Sequence, residues 1–102
     1  MGKYEPVFTT SVPGSALVTN TPSLILAEDT TFRRTYAVIT NVSDHDIYIV
    51  FGTAYDPEVG KGARIPAGGL WEMTADTQTF AAVYGIIEAV DSASVLTLDC
   101  RL

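Results

Sequence analysis

The sequence predicts an all-β protein: a single β-sandwich or jelly-roll-like barrel of about 7–8 short antiparallel strands with an extended N-terminal arm. Short runs of β-branched and aromatic residues recur along the chain, and clusters of Gly, Pro, Asn and Asp separate them. The 102 residues fit one domain around one hydrophobic core.

The first part of the chain is predicted to be extended. Pro6, Pro13 and Pro22 are spaced so that no helix runs through them, and short β-prone pieces lie between them. We therefore expect residues 1–30 to form an arm that leads into the core or adds edge strands to it. Residues 31–102 are predicted to form the β-sandwich core.

The core is expected to begin with a hairpin. Residues 35–40 and 47–51 are rich in β-branched and aromatic residues, and residues 41–46 between them are turn formers. In the second strand Ile47, Ile49 and Phe51 share one face, while Tyr48 and Val50 share the other. Because both faces are apolar, this strand is predicted to be central and covered on both sides.

A long loop, residues 52–69, follows, because glycine and proline recur throughout it. At most residues 63–65 interrupt this loop with a short extended piece. Residues 65–69, Ile-Pro-Ala-Gly-Gly, are expected to form a turn in which both glycines take positive φ. Residues 70–74 then resume the alternation of a strand.

Two further strands complete the prediction. Residues 77–90 are apolar enough for a helix or a strand; the β-branched residues and Gly85 favour a strand with a bulge or a close approach. Residues 94–102 alternate with a period of two. One row of this last strand contains Leu96, Leu98, Cys100 and Leu102, and the other contains Thr97, Asp99 and Arg101. We expect the thiol of Cys100 to be buried beside the leucines.

The triplet Asp44-His45-Asp46 is the most conspicuous candidate for chemistry. A zinc site takes three or four ligands, mostly His and Cys, and the chain has one of each. Calcium ligands could come from Asp44, Asp46, Asp56 and Glu58, but the spacing of a calcium loop is missing. Nucleophilic catalysis has His45 as its one candidate base. We interpret the triplet as a turn, and we expect no catalytic residue, no metal, no cofactor and no enzymatic activity.

The charge distribution limits the partners. Twelve acidic and six basic residues give a net charge of −6, and the basic residues are scattered, which argues against nucleic-acid binding. No segment resembles a signal peptide or a membrane span. Charged residues make up 18% of the chain, below the roughly 25% of ordinary domains, so part of the surface is uncharged or faces a partner.

Tyr55 is the aromatic residue predicted to lie in a loop, beside Asp56 and Glu58. Such a side chain either stacks on a sugar or a partner surface, or folds back to cap the core. The other aromatic residues of the core lie in predicted strands and are assigned to packing.

Three segments carry a resemblance to a known class of protein. They read V-I-T-N-V-S-D-H-D-I-Y-I-V-F-G at 38–52, I-P-A-G-G-L-W-E-M at 65–73 and A-A-V-Y-G-I at 81–86. This succession, which covers about half the chain, resembles small β-sandwich virion proteins of tailed bacteriophages. The resemblance implies a non-enzymatic capsid decoration (cement) protein that binds and stabilises the assembled head shell.

The resemblance also implies partners and a location. The expected partner is the major capsid protein, and the chain is expected to be a homo-oligomer, with a trimer favoured over a dimer. The protein would be made in the cytoplasm of a host bacterium and lie on the capsid surface of the virion. An N-terminal segment would grip the shell, so the candidate partner-binding residues are Tyr4, Pro6, Phe8, Tyr55, Asp56 and Glu58. The alternative function is a carbohydrate- or receptor-binding module of a head or tail fibre, with Tyr55 in its contact loop.

Overall fold

The structure, a computed structural model, describes residues 10–31, 33–74, 80–88 and 90–102. These residues form eight strands and no helix, which confirms the all-β prediction. The strands are β1 (Thr10–Val18), β2 (Ser23–Leu26), β3 (Arg34–Asn41), β4 (Ile47–Phe51), β5 (Ala63–Ile65), β6 (Leu70–Met73), β7 (Val83–Ile86) and β8 (Ala93–Arg101). Within this part of the chain, no helix suited to crossing a membrane is present.

The strands form two antiparallel four-stranded sheets. The first sheet has the order β1-β8-β3-β6, and the second has the order β2-β7-β4-β5. Strand 1 therefore pairs with 8, 2 with 7, 3 with 6 and 4 with 5. This pattern arises when the chain folds back on itself between β4 and β5, so that early strands pair with late ones. The successive pairs then lie alternately in the two sheets. It is the topology of a jelly roll.

The core lies between the two sheets. β-branched side chains dominate it, as expected for residues that pack on pleated surfaces. Both sheets contribute fully buried members, among them Val18, Ile39, Ile47, Ile65, Val83 and Val95.

The predicted arm contributes an edge strand to each sheet. β1 pairs with β8 from Thr10 opposite Arg101 to Val18 opposite Ala93, and β2 pairs with β7. Residues 1–9 lie outside the described residues. The division of the chain into an arm and a core at residue 30 stays a prediction.

The hairpin predicted for residues 35–51 is wrong. β3 pairs with β6 and β8 in the first sheet, whereas β4 pairs with β5 and β7 in the second. The loop between them crosses the sandwich, which lets both strands turn an apolar face to one core. Buried Asn41 holds the crossing: its Nδ2 donates to the carbonyl oxygens of His45, Ile65 and Pro66, and its Oδ1 accepts from Ser43.

β4 is central in its sheet, as predicted, but among the described residues only its inner face is fully buried. Ile47 and Ile49 are buried, while Tyr48 and Val50 on the other face are half-buried. Phe51, at the end of the strand, is 41% exposed and lies 5.9 Å from Trp71, measured between ring centroids. On the outer face of the second sheet, Tyr48 and Val50 lie beside the exposed side chain of Arg64, which pairs with Tyr48.

β8 has the predicted period of two, but its faces are reversed. Thr97 and Asp99 lie opposite Ile39 and Ala37, whose side chains belong to the core, so the polar row points inward. The leucine row points outward, and Leu96 is 52% exposed. Cys100 in that row is nonetheless buried as predicted, and burial raises the pKa of its thiol.

The strand predicted within residues 77–90 is confirmed as β7, although residues 77–79 and 89 lie outside the described residues. Gly85 marks the predicted close approach. A Cβ atom there would lie 2.7 Å from Ile25 Cδ1 and 3.1 Å from Ile47 Cγ2. The glycine leaves room for the side chains of Ile25 and Ile47, which reach over β7 from the two neighbouring strands of the same sheet.

The turn at residues 65–69 is present, and its two glycines serve different purposes. Gly68 has φ of 75°, and Gly69 N donates to the carbonyl oxygen of Pro66 at 2.8 Å, as in a type II turn. Gly69 does not take positive φ, contrary to the prediction. A Cβ at Gly69 would lie 2.8 Å from Pro66 Cγ, so space and not backbone conformation calls for glycine.

Candidate binding surface

The outer face of the second sheet carries a cluster of apolar and aromatic side chains. Cross-strand pairing places Leu24 beside Tyr84, Tyr84 beside Val50, and Tyr48 beside Ile86. Their sequence neighbours line the core, so these side chains point away from it. Leu24 is exposed and the others are half-buried. We call this cluster of Leu24, Tyr48, Val50, Tyr84 and Ile86 the tyrosine face.

A loop, residues 52–62, borders the tyrosine face. Three glycines with φ of 77° to 84° shape it, and buried Pro57 anchors it. Tyr55 at its tip is 82% exposed. On one side Tyr55 and Asp56 line a groove of about 190 Å³ with Pro22 and Tyr84. We call this segment the Tyr55 loop.

A wider groove of about 570 Å³ lies on the other side of Tyr55, where the loop meets Val50. Asp56, Glu58 and Lys61 line it, and Lys61 Nζ lies 2.9 Å from Glu58 Oε2. The arrangement offers an aromatic ring with carboxylates and one ammonium group beside it. Such a surface can bind an apolar or hydroxyl-rich partner.

Three of the six predicted partner-binding residues meet in this place. Tyr55, Asp56 and Glu58 line the same groove, and Tyr55 does not fold back onto the core. Tyr4, Pro6 and Phe8 lie outside the described residues.

Tyr48 and Tyr84 belong to the same surface, although the sequence assigned them to packing. The alternation of Tyr48 with Ile47 and Ile49 was a usable signal, because neighbouring residues of a strand face opposite sides. The pairing of β4 with β7, which brings Tyr84 into the cluster, is a tertiary feature with no local signal.

Asp44-His45-Asp46 lies in the loop that crosses from β3 to β4, beside an open depression of about 490 Å³ that Tyr48 and Glu88 also line. His45 Nε2 is 3.4 Å from Asp44 Oδ1 and 3.5 Å from Asp91 Oδ2, so it links this loop to the one before β8. A hydrogen bond from the backbone of Ser92 and one from His45 lower the pKa of Asp91.

Asp46 is likewise used for support. Its Oδ1 accepts a hydrogen bond from Ala67 N at 3.0 Å, and its Oδ2 lies 3.6 Å from Arg64 Nη1. Among the described residues, no group of three His, Cys, Asp or Glu side chains is arranged to hold a metal ion. The contacts of the triplet connect its loop to neighbouring loops and to β5, and they stabilise the loop conformation.

The outer face of the first sheet is a second apolar surface. Leu17, Leu70 and Leu96 are each more than half exposed. Together with Pro13, Val38 and Leu98, which also point outward by strand alternation, they make up what we call the leucine face. Among the outward-pointing positions of β1, β3, β6 and β8, Glu72 is the one charged residue.

Glu72 is already engaged within its own chain. Its Oε2 accepts a hydrogen bond from the hydroxyl of Tyr36 at 2.6 Å. That bond, together with burial and the negative charge of Glu72, raises the pKa of Tyr36 to about 12.

A buried ionic network at one end of the sandwich is structural. Arg34 Nε and Nη2 lie 3.2 and 3.4 Å from the carboxylate of Asp99, which also accepts from Arg101 at 2.9 Å. Arg101 Nη1 lies 3.7 Å from Asp29 Oδ1. Arg34 Nη2 donates to the carbonyl oxygen of Ala27, so the network ties the β2–β3 connection to β8. Sequence reasoning missed it, because Arg34 and Asp99 are far apart in the chain.

Comparisons with known proteins support the fold alone. No protein-family model matches the chain, and no curated protein matches its sequence significantly. A solved chain is similar, with a TM-score of 0.58 and 14% sequence identity over 100% of this chain and 95% of the other. It comes from work on Bacillus endospore appendages, described as a novel family of disulfide-linked pili. That similarity supports a small β fold over the whole length of this chain.

Proposed function

We propose that this chain is a non-enzymatic structural subunit that decorates the head shell of a tailed bacteriophage. In this proposal the tyrosine face and the Tyr55 loop contact the major capsid protein. The observation that carries it is Tyr55, an aromatic side chain 82% exposed at the rim of an apolar sheet face. Exposed aromatic residues are enriched at protein interfaces, and they dominate binding energy where they fill a pocket of the partner.

The residue content of the surface supports the proposal. Leu24, Tyr48, Val50, Tyr84 and Ile86 are contiguous on one sheet face, and such patches on soluble proteins mark interaction sites. The shallow form of the grooves suits a broad protein surface.

The similarity to an appendage subunit is compatible with a structural role, since that related fold occurs in a pilus. We do not propose a disulfide linkage like the one named for those pili. This chain has one cysteine, Cys100, and it is buried. We propose that its contacts in an assembly are non-covalent.

Stabilisation of the shell would follow from mass action. A protein that binds the assembled lattice, and not free capsid subunits, shifts the equilibrium toward the lattice in proportion to its occupancy. Residues 1–9, with Tyr4, Pro6 and Phe8, would add a strand to an exposed edge of the shell protein.

The substitution Tyr55→Ala tests the proposed surface. We expect it to weaken binding to head shells of the encoding phage by about 10- to 100-fold, as truncation of an aromatic hot spot does. The measurement is titration of shells with purified protein followed by co-sedimentation. Val90→Ala is the matched control, since Val90 is 93% exposed and lies outside both sheets. Equal shell binding by the two variants would remove the Tyr55 surface from the proposal.

A second candidate function is carbohydrate or receptor binding on a fibre. Tyr55 beside the carboxylates of Asp56 and Glu58 favours it, because a ring that stacks on a sugar and acceptors for its hydroxyls are close together. Saturable binding to a glycan array that Tyr55→Ala abolishes, with no binding to shells, would select this function.

A further inference from the structure

The leucine face exposes large apolar side chains, whereas the outer sheet face of a monomeric sandwich is typically polar. In β8 the leucine row points outward and the polar row points inward. The result is a sheet surface on which Leu17, Leu70 and Leu96 are more than half exposed to water. Ser15, Thr40 and Ser94 lie beside these leucines on the same face, so the face combines apolar and uncharged polar positions. Exposed apolar surface of this kind marks an interface.

The charge distribution favours a second copy of this chain as the occupant. The chain has a net charge of −6, so two copies repel each other wherever their acidic surfaces meet. The leucine face is the exception, because Glu72 is its single charged residue among the described positions and already accepts from Tyr36. Two identical chains can therefore approach each other there without placing several carboxylates in contact.

The size of the face is sufficient for such a pairing. At about 3.4 Å per residue along a strand and about 4.8 Å between strands, the four strands present roughly 500 Å². Two copies face to face would bury roughly 1,000 Å², which is about the minimum for a biological interface and below the roughly 1,200–2,000 Å² of stable complexes. We expect a dissociation constant on the order of micromolar for an apolar contact of that size.

We infer that the leucine face is the self-association surface of this protein, and that it pairs with the same face of a second copy around a two-fold axis. The outer surfaces of the two first sheets pack against each other as the sheets within a sandwich do, about 10 Å apart. The tyrosine faces remain free on opposite sides. The inference rests on the proposed structural role.

A two-fold contact between identical faces closes at two copies. The unit is then a dimer, and not the trimer favoured by the resemblance to phage virion proteins. An assembly of larger size would be built from dimers.

The substitution Leu96→Glu tests the inference in solution. Sedimentation equilibrium of the full chain in about 0.15 M salt, where the Debye length is about 8 Å, is expected to give twice the mass of one chain. At about 10 mM salt, repulsion between the two copies acts over about 30 Å and is expected to weaken the dimer. Leu96→Glu is expected to raise the dissociation constant tenfold or more, because it buries a carboxylate on each side of the contact.

Val59→Glu is the matched control. Val59 is 39% exposed, and it lies in the Tyr55 loop outside the first sheet. It adds the same charge and is expected to leave the dimer intact. Far-UV circular dichroism checks that both variants are folded.

A wild-type chain that stays monomeric at about 200 µM and about 0.15 M salt would overturn the inference. Equal masses for Leu96→Glu and Val59→Glu would overturn it as well. Shell binding is measured separately. A dimer that does not bind shells would contradict the proposed function and leave the inference standing. A monomer that binds shells would contradict the inference and leave the proposed function standing.

Discussion

Asp29 shows how one side chain can organise the entry to a strand. It is buried, and its carboxylate accepts hydrogen bonds from the backbone nitrogens of Thr31, Arg33 and Arg34 and from the hydroxyl of Thr31. Burial by itself would raise the pKa of Asp29. The hydrogen bonds outweigh it and lower the pKa from 3.8 to about 2.

Asp29→Asn is expected to destabilise the fold by about 2 kcal/mol at pH 7, since a lowered carboxyl pKa is a contribution to folding free energy. That contribution is complete above the unfolded pKa of about 4 and disappears as the pH falls toward about 2. Urea unfolding between pH 7 and pH 2 measures it. Asp44→Asn, at a side chain 95% exposed, is the control and should cost less than about 0.5 kcal/mol. A cost for Asp29→Asn that does not shrink with acid would contradict this account.

Tyr36 and Glu72 give a second prediction for single residues. Removing the charge with Glu72→Gln is expected to lower the pKa of Tyr36 from about 12 toward 10. Ultraviolet titration of phenolate formation measures this pKa, with Tyr36→Phe to assign the signal among the five tyrosines. Glu88→Gln is the control. An unchanged titration in Glu72→Gln would show that the hydrogen bond does not hold in solution.

At the scale of elements, local signals predicted the strands well and their partners poorly. Alternation and β-branched residues identified β4, β6 and β8, and Gly85 marked a close approach within β7. The pairing of β3 with β8 involves residues about 60 positions apart in the chain and leaves no local mark. For that reason the sequence of β3, its loop and β4 has the pattern of a hairpin, although the two strands lie in different sheets.

The orientation of β8 shows the limit of the hydrophobic rule. Periodicity fixes which residues share a face, but not which face is the core. Asp99 stays inside because Arg34 and Arg101 neutralise it. The leucine face is thereby turned outward, and the sequence alone could not indicate this. The candidate site was partly predictable. The position of Tyr55 in a glycine-rich loop indicated an exposed side chain, whereas Tyr84 joins the site only through the pairing of β7 with β4.

Gly85→Ala tests the close contact of the Ile25 and Ile47 side chains with the backbone of β7. The added methyl would lie 2.7 Å from Ile25 Cδ1, and we expect it to destabilise the fold by about 1–3 kcal/mol. Ile25→Val removes that atom, so Gly85→Ala is expected to cost about 1 kcal/mol less in the Ile25→Val background. Denaturant unfolding of the four proteins measures the coupling. Simple additivity of the two changes would show that this contact does not decide the packing.

At the scale of the whole molecule, the two apolar faces lie on opposite sides of one sandwich. The jelly-roll topology places the tyrosine face on the second sheet and the leucine face on the first. In the proposed arrangement, one face holds a second copy and the other contacts the shell. A dimer would then present its two tyrosine faces on opposite sides. One shell surface can contact only one of them at a time, so we expect no gain in affinity from bivalent binding.

The central proposal is that this chain is a structural protein that binds an assembled shell. The most direct test of this proposal is co-sedimentation of the purified full chain with emptied, expanded head shells of the phage proposed to encode it. The account predicts saturable binding, with a fixed number of copies per capsid subunit and increased resistance of the shells to heat. Absence of binding at saturating protein, with unchanged heat resistance of the shells, would contradict it.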